Sequence, residues 1–154
     1  MSNKAEPAKE QAGNNVESAK AQGAKEKAAS IAPMLSVRNG AKAVDFYKAA
    51  FGAIEAFRLD GPDGGVVARL SVEGAEFWVA DESPEHQNFS PESLNGSTTR
   101  MVMVVSDPDR AFERAVKAGA KTIRPVSNDY GWRLGRVIDS FGHHWEIGKP
   151  VAEA

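Results

Sequence analysis

The order strand, helix, strand, strand, strand occurs twice in this chain, and that duplication limits its possible folds more than any other feature. Residues 31–37 (Ile-Ala-Pro-Met-Leu-Ser-Val) read as a strand with Pro33, Leu35 and Val37 on one face. Pro33 has no N–H to donate, so this strand begins near it or lies at a sheet edge. Asn39 stands where a helix N-cap is expected, and Val44, Tyr47 and Phe51 repeat as a helical apolar stripe. Gly52 supplies the stop. Three strands follow at Ala53–Leu59, Val66–Val72 and Gly74–Ala80, the first two joined through the turn Gly61-Pro62-Asp63-Gly64-Gly65. Residues 81–97 lack periodicity and read as a linker.

The second copy starts with a strand at Thr98–Val105. Asp107 is its N-cap residue, Pro108 takes the first helical position, and Phe112, Ala115 and Val116 form the stripe. Gly119 is the stop, and Lys121–Val126, Arg133–Asp139 and His143–Gly148 are the three strands. Asn39 aligns with Asp107, Gly52 with Gly119, and Gly74 with Gly142. Two repeats of about 50 residues are too few to stack as a solenoid. The prediction is an α+β fold in which two βαβββ modules curl antiparallel sheets around a shared concave cavity, with the helices on the outer face.

Residues 1–30 differ from the rest. They are rich in Ala, Lys, Glu, Gln and Gly and hold no aromatic residue. Such a segment buries too little apolar area to offset its ordering entropy, although its residues are good helix formers. It is expected to be a disordered or helical tail preceding a domain over residues 31–150. The chain has no cysteine, which excludes disulfides, thiolate nucleophiles and cysteine metal sites. Its formal charge of -2 argues against a nucleic-acid partner. No apolar run approaches the roughly 18 residues of a membrane span, and no secretory signal is evident, so a cytoplasmic location is expected.

The segment from Ala43 to Ala53 (Ala-Val-Asp-Phe-Tyr-Lys-Ala-Ala-Phe-Gly-Ala) and the ending from Asp139 to Glu146 (Asp-Ser-Phe-Gly-His-His-Trp-Glu), set on the duplicated pattern, resemble the vicinal-oxygen-chelate superfamily of glyoxalases, bleomycin-resistance proteins and extradiol dioxygenases. The similarity is greatest to the PhnB-like, glyoxalase-like branch and spans about residues 31–150. It implies a homodimer with a small-molecule site in each concavity. In metal-dependent members it also implies four ligands, one from the first and one from the last strand of each module. Those positions map onto Ala32, Trp78, Arg100 and Glu146, so three of the four carry side chains unsuited to a divalent metal.

His144 and Glu146 lie two apart on one strand and share a face. They are weak candidates for a divalent metal. Alternatively, His144 is a hydrogen-bonded cavity residue and Glu146 pairs with Arg100. The same facing rule places Met34, Ser36 and Trp78 toward the ligand. Trp78 offers a stacking surface for an aromatic or cationic molecule, and Arg100 a clamp for a carboxylate or phosphonate. Trp132, in Tyr130-Gly131-Trp132-Arg133-Leu134-Gly135-Arg136, is read as touching ligand from a loop that lines or lids the pocket, or as packing at the dimer interface from a bulged strand entry. The favoured expectation is a glyoxalase/bleomycin-resistance-like protein that binds a small hydrophobic, aromatic or cationic molecule in a metal-poor cavity, with no cofactor. The alternatives are a metal-dependent lyase or dioxygenase using Glu146 and His144, and an interaction protein acting through its N-terminal tail.

Overall fold

Capping fixes where the two long helices begin and end. In this computed structural model, which describes residues 28–152, Asn39 Oδ1 accepts the Lys42 N–H at 3.1 Å and opens α1 (Gly40–Phe51). Gly52 closes that helix at a φ of 66°, in the left-handed region glycine tolerates. Asp107 Oδ1 accepts the Arg110 N–H at 3.2 Å and opens α3 (Pro108–Ala118), which ends at Gly119. The expected tail falls outside the described residues, except for residues 28–30, which carry no regular structure.

The first module comprises β1 (Met34–Val37), α1, β2 (Ile54–Asp60), β3 (Val66–Val72) and β4 (Ala75–Asp81). The second comprises β5 (Arg100–Val104), α3, β6 (Lys121–Asp129), β7 (Trp132–Ile138) and β8 (His144–Pro150). The duplicated βαβββ pattern is therefore present. Each module forms a four-stranded sheet, in the orders β1-β4-β3-β2 and β5-β8-β7-β6. The sheets are mixed rather than wholly antiparallel, because β1 runs parallel to β4 and β5 parallel to β8. Connectivity requires this. The helix carries the chain back to the end where β1 began, so β2 runs in the direction of β1, and two hairpin reversals restore that direction in β4.

Alternation then sorts the side chains. Along β3, Val66, Ala68, Leu70 and Val72 are buried, while Val67, Arg69 and Ser71 point to the other face. The buried faces of both sheets and the inner sides of α1 and α3 make one core. Its centre is aromatic. Trp145 of β8 lies 4.7 Å from Phe51, 5.2 Å from Phe77 and 5.4 Å from Tyr47, centroid to centroid, and all three of those rings belong to the first module. Beside them Asp139 is 5% exposed and accepts four hydrogen bonds, from the Tyr47 hydroxyl (2.5 Å), Trp145 Nε1 (2.9 Å) and the amides of Phe141 and His143 (2.9 Å each). The junction is closed further by Arg114, whose Nε donates to the Ala49 carbonyl at the C-terminal end of α1 (2.8 Å), where a cation opposes the helix dipole.

The first strand begins at Met34, directly after Pro33, and lies at a sheet edge, as Pro33 led one to expect. Two sequence expectations change. The segment read as a linker over residues 81–97 is ordered by Glu82. Its carboxylate accepts the Ser90 N–H (2.7 Å) and the Ser93 hydroxyl (2.7 Å), which seats α2 (Pro91–Leu94) behind a one-turn helix at Pro84–His86. Finally, Tyr130-Gly131 is a two-residue hairpin turn with both φ angles positive (50° and 77°). Trp132 therefore begins a strand instead of lying in a lid loop. Among the described residues no helix is long and apolar enough to cross a membrane.

Candidate functional site

The faces opposite the helices carry the site. On the first sheet, register sets one row across all four strands: Met34 beside Trp78, Trp78 beside Arg69, and Arg69 beside Phe57. Phe57 meets Trp78 edge-on at 5.8 Å between centroids, and the Arg69 guanidinium carbon lies 5.5 Å from the centre of the Trp78 ring. The matching row of the second sheet is Val102, Glu146, Arg136 and Arg124. Glu146 thus occupies in one module the place that Trp78 occupies in the other. Arg100 pairs with His144 two residues along, and Arg100 Nε approaches Glu146 Oε1 at 3.7 Å.

These faces are open. Met34 is 53% exposed, Leu59 59%, Val102 59% and Val104 57%. The two four-stranded sheets do not close on each other. Met34 and Ser36 additionally line a cavity of about 680 Å³ with Phe89, Leu94 and Thr99, at the edge of β1, whose lining does not include Trp78. The Ser36 carbonyl there accepts a hydrogen bond from Nε2 of the buried His143 (3.0 Å). Trp132 shares the open face of its sheet with Arg136, at the opposite end of β7 from Arg100.

The chemistry of His144 is set by its neighbour. Arg136 Nε donates to His144 Nδ1 at 3.2 Å. An arginine cannot accept, so Nδ1 bears no hydrogen and the neutral ring carries its proton on Nε2. Burial lowers the His144 pKa, and the Arg136 charge lowers it further. Metal coordination through Nε2 would require the proton to move to Nδ1, against the Arg136 donor. Arg100 and Trp78 stand at two of the remaining ligand positions implied by the resemblance, and Ala32 lies outside β1. Among the described residues no group of three or more His, Asp or Glu side chains is placed to hold a metal ion. The residues present do not fit a divalent metal.

Two members of this face lay outside the sequence expectation. Arg69 and Phe57 have no motif around them. The alternation of β3 puts Arg69 on the open side, and the tight Glu73-Gly74 turn fixes its pairing with Trp78, so the register was the available signal. Arg133, by contrast, is structural: it forms a bidentate pair with Asp109 (2.6 Å for both bonds) and bonds Asn128 (3.0 Å).

Comparison with known proteins agrees with this architecture. The family model of the Glyoxalase/Bleomycin resistance protein/Dioxygenase superfamily matches residues 29–147. An uncharacterised Mycobacterium bovis protein is 38% identical over 128 residues, covering 80% of this chain and 84% of the relative. The crystal structure of an Arabidopsis thaliana gene product is 30% identical with a TM-score of 0.61, covering 80% of this chain and all of that one. TioX from Micromonospora sp. ML1 is 26% identical with a TM-score of 0.60, at the same coverage of both chains. Matched over most of its length by both the family model and these relatives, the chain belongs to the Glyoxalase/Bleomycin resistance protein/Dioxygenase superfamily.

Proposed function

We propose that this protein, a member of the glyoxalase-like branch of its superfamily, binds a flat hydrophobic or aromatic small molecule without a metal. The observation that carries the reading is the Trp78–Phe57 platform, in which Trp78 fills the position where the second module keeps Glu146. A ring pair of this kind supplies a large apolar contact at small entropic cost. The tautomer of His144 supports a binding role over metal-dependent lyase or dioxygenase chemistry, since Arg136 occupies the nitrogen whose protonation would free Nε2 for a metal.

A homodimer completes the site in this reading. The apolar side chains exposed on both open faces form a surface of the kind that soluble monomers rarely leave uncovered, and a second copy placing one module over the other would enclose it. The protein then acts in the cytoplasm as a binding module.

The test is a panel of planar aromatic compounds followed by tryptophan fluorescence and melting temperature. At least one class is expected to quench fluorescence and raise the melting temperature. Replacing Trp78 with alanine should weaken binding of that class roughly ten-fold, about 1.4 kcal/mol, in line with the loss of one aromatic stack. Unchanged affinity in Trp78→Ala would remove the platform from the site. Silence across the whole panel would contradict the binding role.

A further inference from the structure

Arginines in this chain differ in how the fold holds them. Arg133 and Arg114 are held by short hydrogen bonds to Asp109 and to the Ala49 carbonyl, as described above. The central arginines of the open faces are not. Among the described residues Arg69 has a buried Nε–H with no acceptor, and the carboxylate oxygen facing it, Glu76 Oε2, stands 3.7 Å away. That is beyond hydrogen-bond length. Arg100 meets Glu146 at the same 3.7 Å. A guanidinium carries five donors, so both groups keep most of theirs unused by the fold.

Charge and geometry then select the guest. The π face of Trp78 already has a cation, because the Arg69 guanidinium sits over it. A cationic ligand seeking that ring would meet a fixed positive charge. Four guanidinium groups (Arg69, Arg100, Arg124 and Arg136) stand on the two faces, against three carboxylates, Glu76, Asp129 and Glu146. His144 adds a neutral Nε2–H donor, since Arg136 fills its Nδ1. The faces therefore offer donors and positive charge beside an apolar, aromatic floor. We infer that the ligand is a flat organic anion, a conjugated ring bearing a carboxylate, phosphonate or similar oxyanion, with the ring on the Trp78–Phe57 platform and the oxyanion held by Arg69. This rests on the proposed binding role and replaces the cationic guest suggested by Trp78 considered alone. Arginine suits such a ligand twice over, stacking its plane on rings and clamping two oxygens at once.

The experiment is a charge series on one ring, measured by titration calorimetry with the full-length protein: 1-naphthoate, 1-naphthalenemethanol and 1-naphthylmethylammonium. Naphthoate is expected to bind at least ten-fold more tightly than either of the others. Arg69→Met should erase the advantage of naphthoate while leaving the neutral alcohol's affinity in place, and Arg69→Lys should keep part of it. An ammonium compound that binds as tightly as naphthoate would overturn the anion inference while the binding role stood. So would an unchanged naphthoate preference in a folded Arg69→Met. If none of the three compounds binds, the binding role fails and takes this inference with it.

Discussion

Replacing Asp139 with alanine is expected to cost about 3–5 kcal/mol, the scale of breaking a buried charged network. The carboxylate takes four donors and is almost fully buried, so its removal leaves the Tyr47 hydroxyl, the Trp145 indole N–H and two amides without partners and away from water. Asp139→Asn should lose less. Its remaining oxygen can still accept from Phe141 and His143, but its amide N–H₂ would point at the Trp145 donor. Urea denaturation of the three proteins measures the order directly. The same network makes a statement about alkaline pH. Burial and then the Asp139 charge raise the Tyr47 pKa well above its ordinary value near 10. A raised folded-state pKa means that the stabilisation is complete below the unfolded value and is lost as pH climbs past it. Stability should therefore fall above about pH 10, and Tyr47→Phe should flatten that limb while losing about 1–2 kcal/mol at neutral pH.

Trp145→Ala is the other large effect, about 3–5 kcal/mol for deleting a buried aromatic ring. Trp145 is 3% exposed, and its neighbours Tyr47, Phe51 and Phe77 all come from the opposite module. The cavity thus opens at the junction rather than inside one half. Wild-type protein is expected to unfold in one transition, because the halves share this core. Thermal unfolding of the alanine variant should show a lower and broader transition, with Trp145→Phe intermediate. A Trp145→Ala protein that melts within a degree or two of wild type would show that the halves are held by something else.

The course of the chain was legible wherever local chemistry decides structure. Asn39, Gly52, Asp107 and Gly119 bound the helices in sequence as they do in space, because caps and left-handed glycines act within a few residues. The strand alternation around Trp78 and Glu146 likewise placed both on open faces. What was not legible depends on partners far along the chain. Glu82 reaches Ser90 and Ser93 to order a segment whose composition reads as linker. Arg136 meets His144 only through hairpin register, so the tautomer that speaks against a metal had no local signature. Arg69 sits in the strand Val66–Val72 like any solvent-facing charge until its pairing with Trp78 and Phe57 is known. The parallel placement of β1 beside β4 follows from counting chain reversals, not from any property of the residues in β1.

The proposed site works without a metal, and the metal content of the full chain purified without chelators or a metal-binding tag measures this most directly. Elemental analysis should find zinc, iron, nickel and manganese each far below one per chain, with ligand binding unchanged after chelation. Near-stoichiometric content of any one of them, lost in Glu146→Gln or His144→Ala, would contradict the account and place the enzyme reading first.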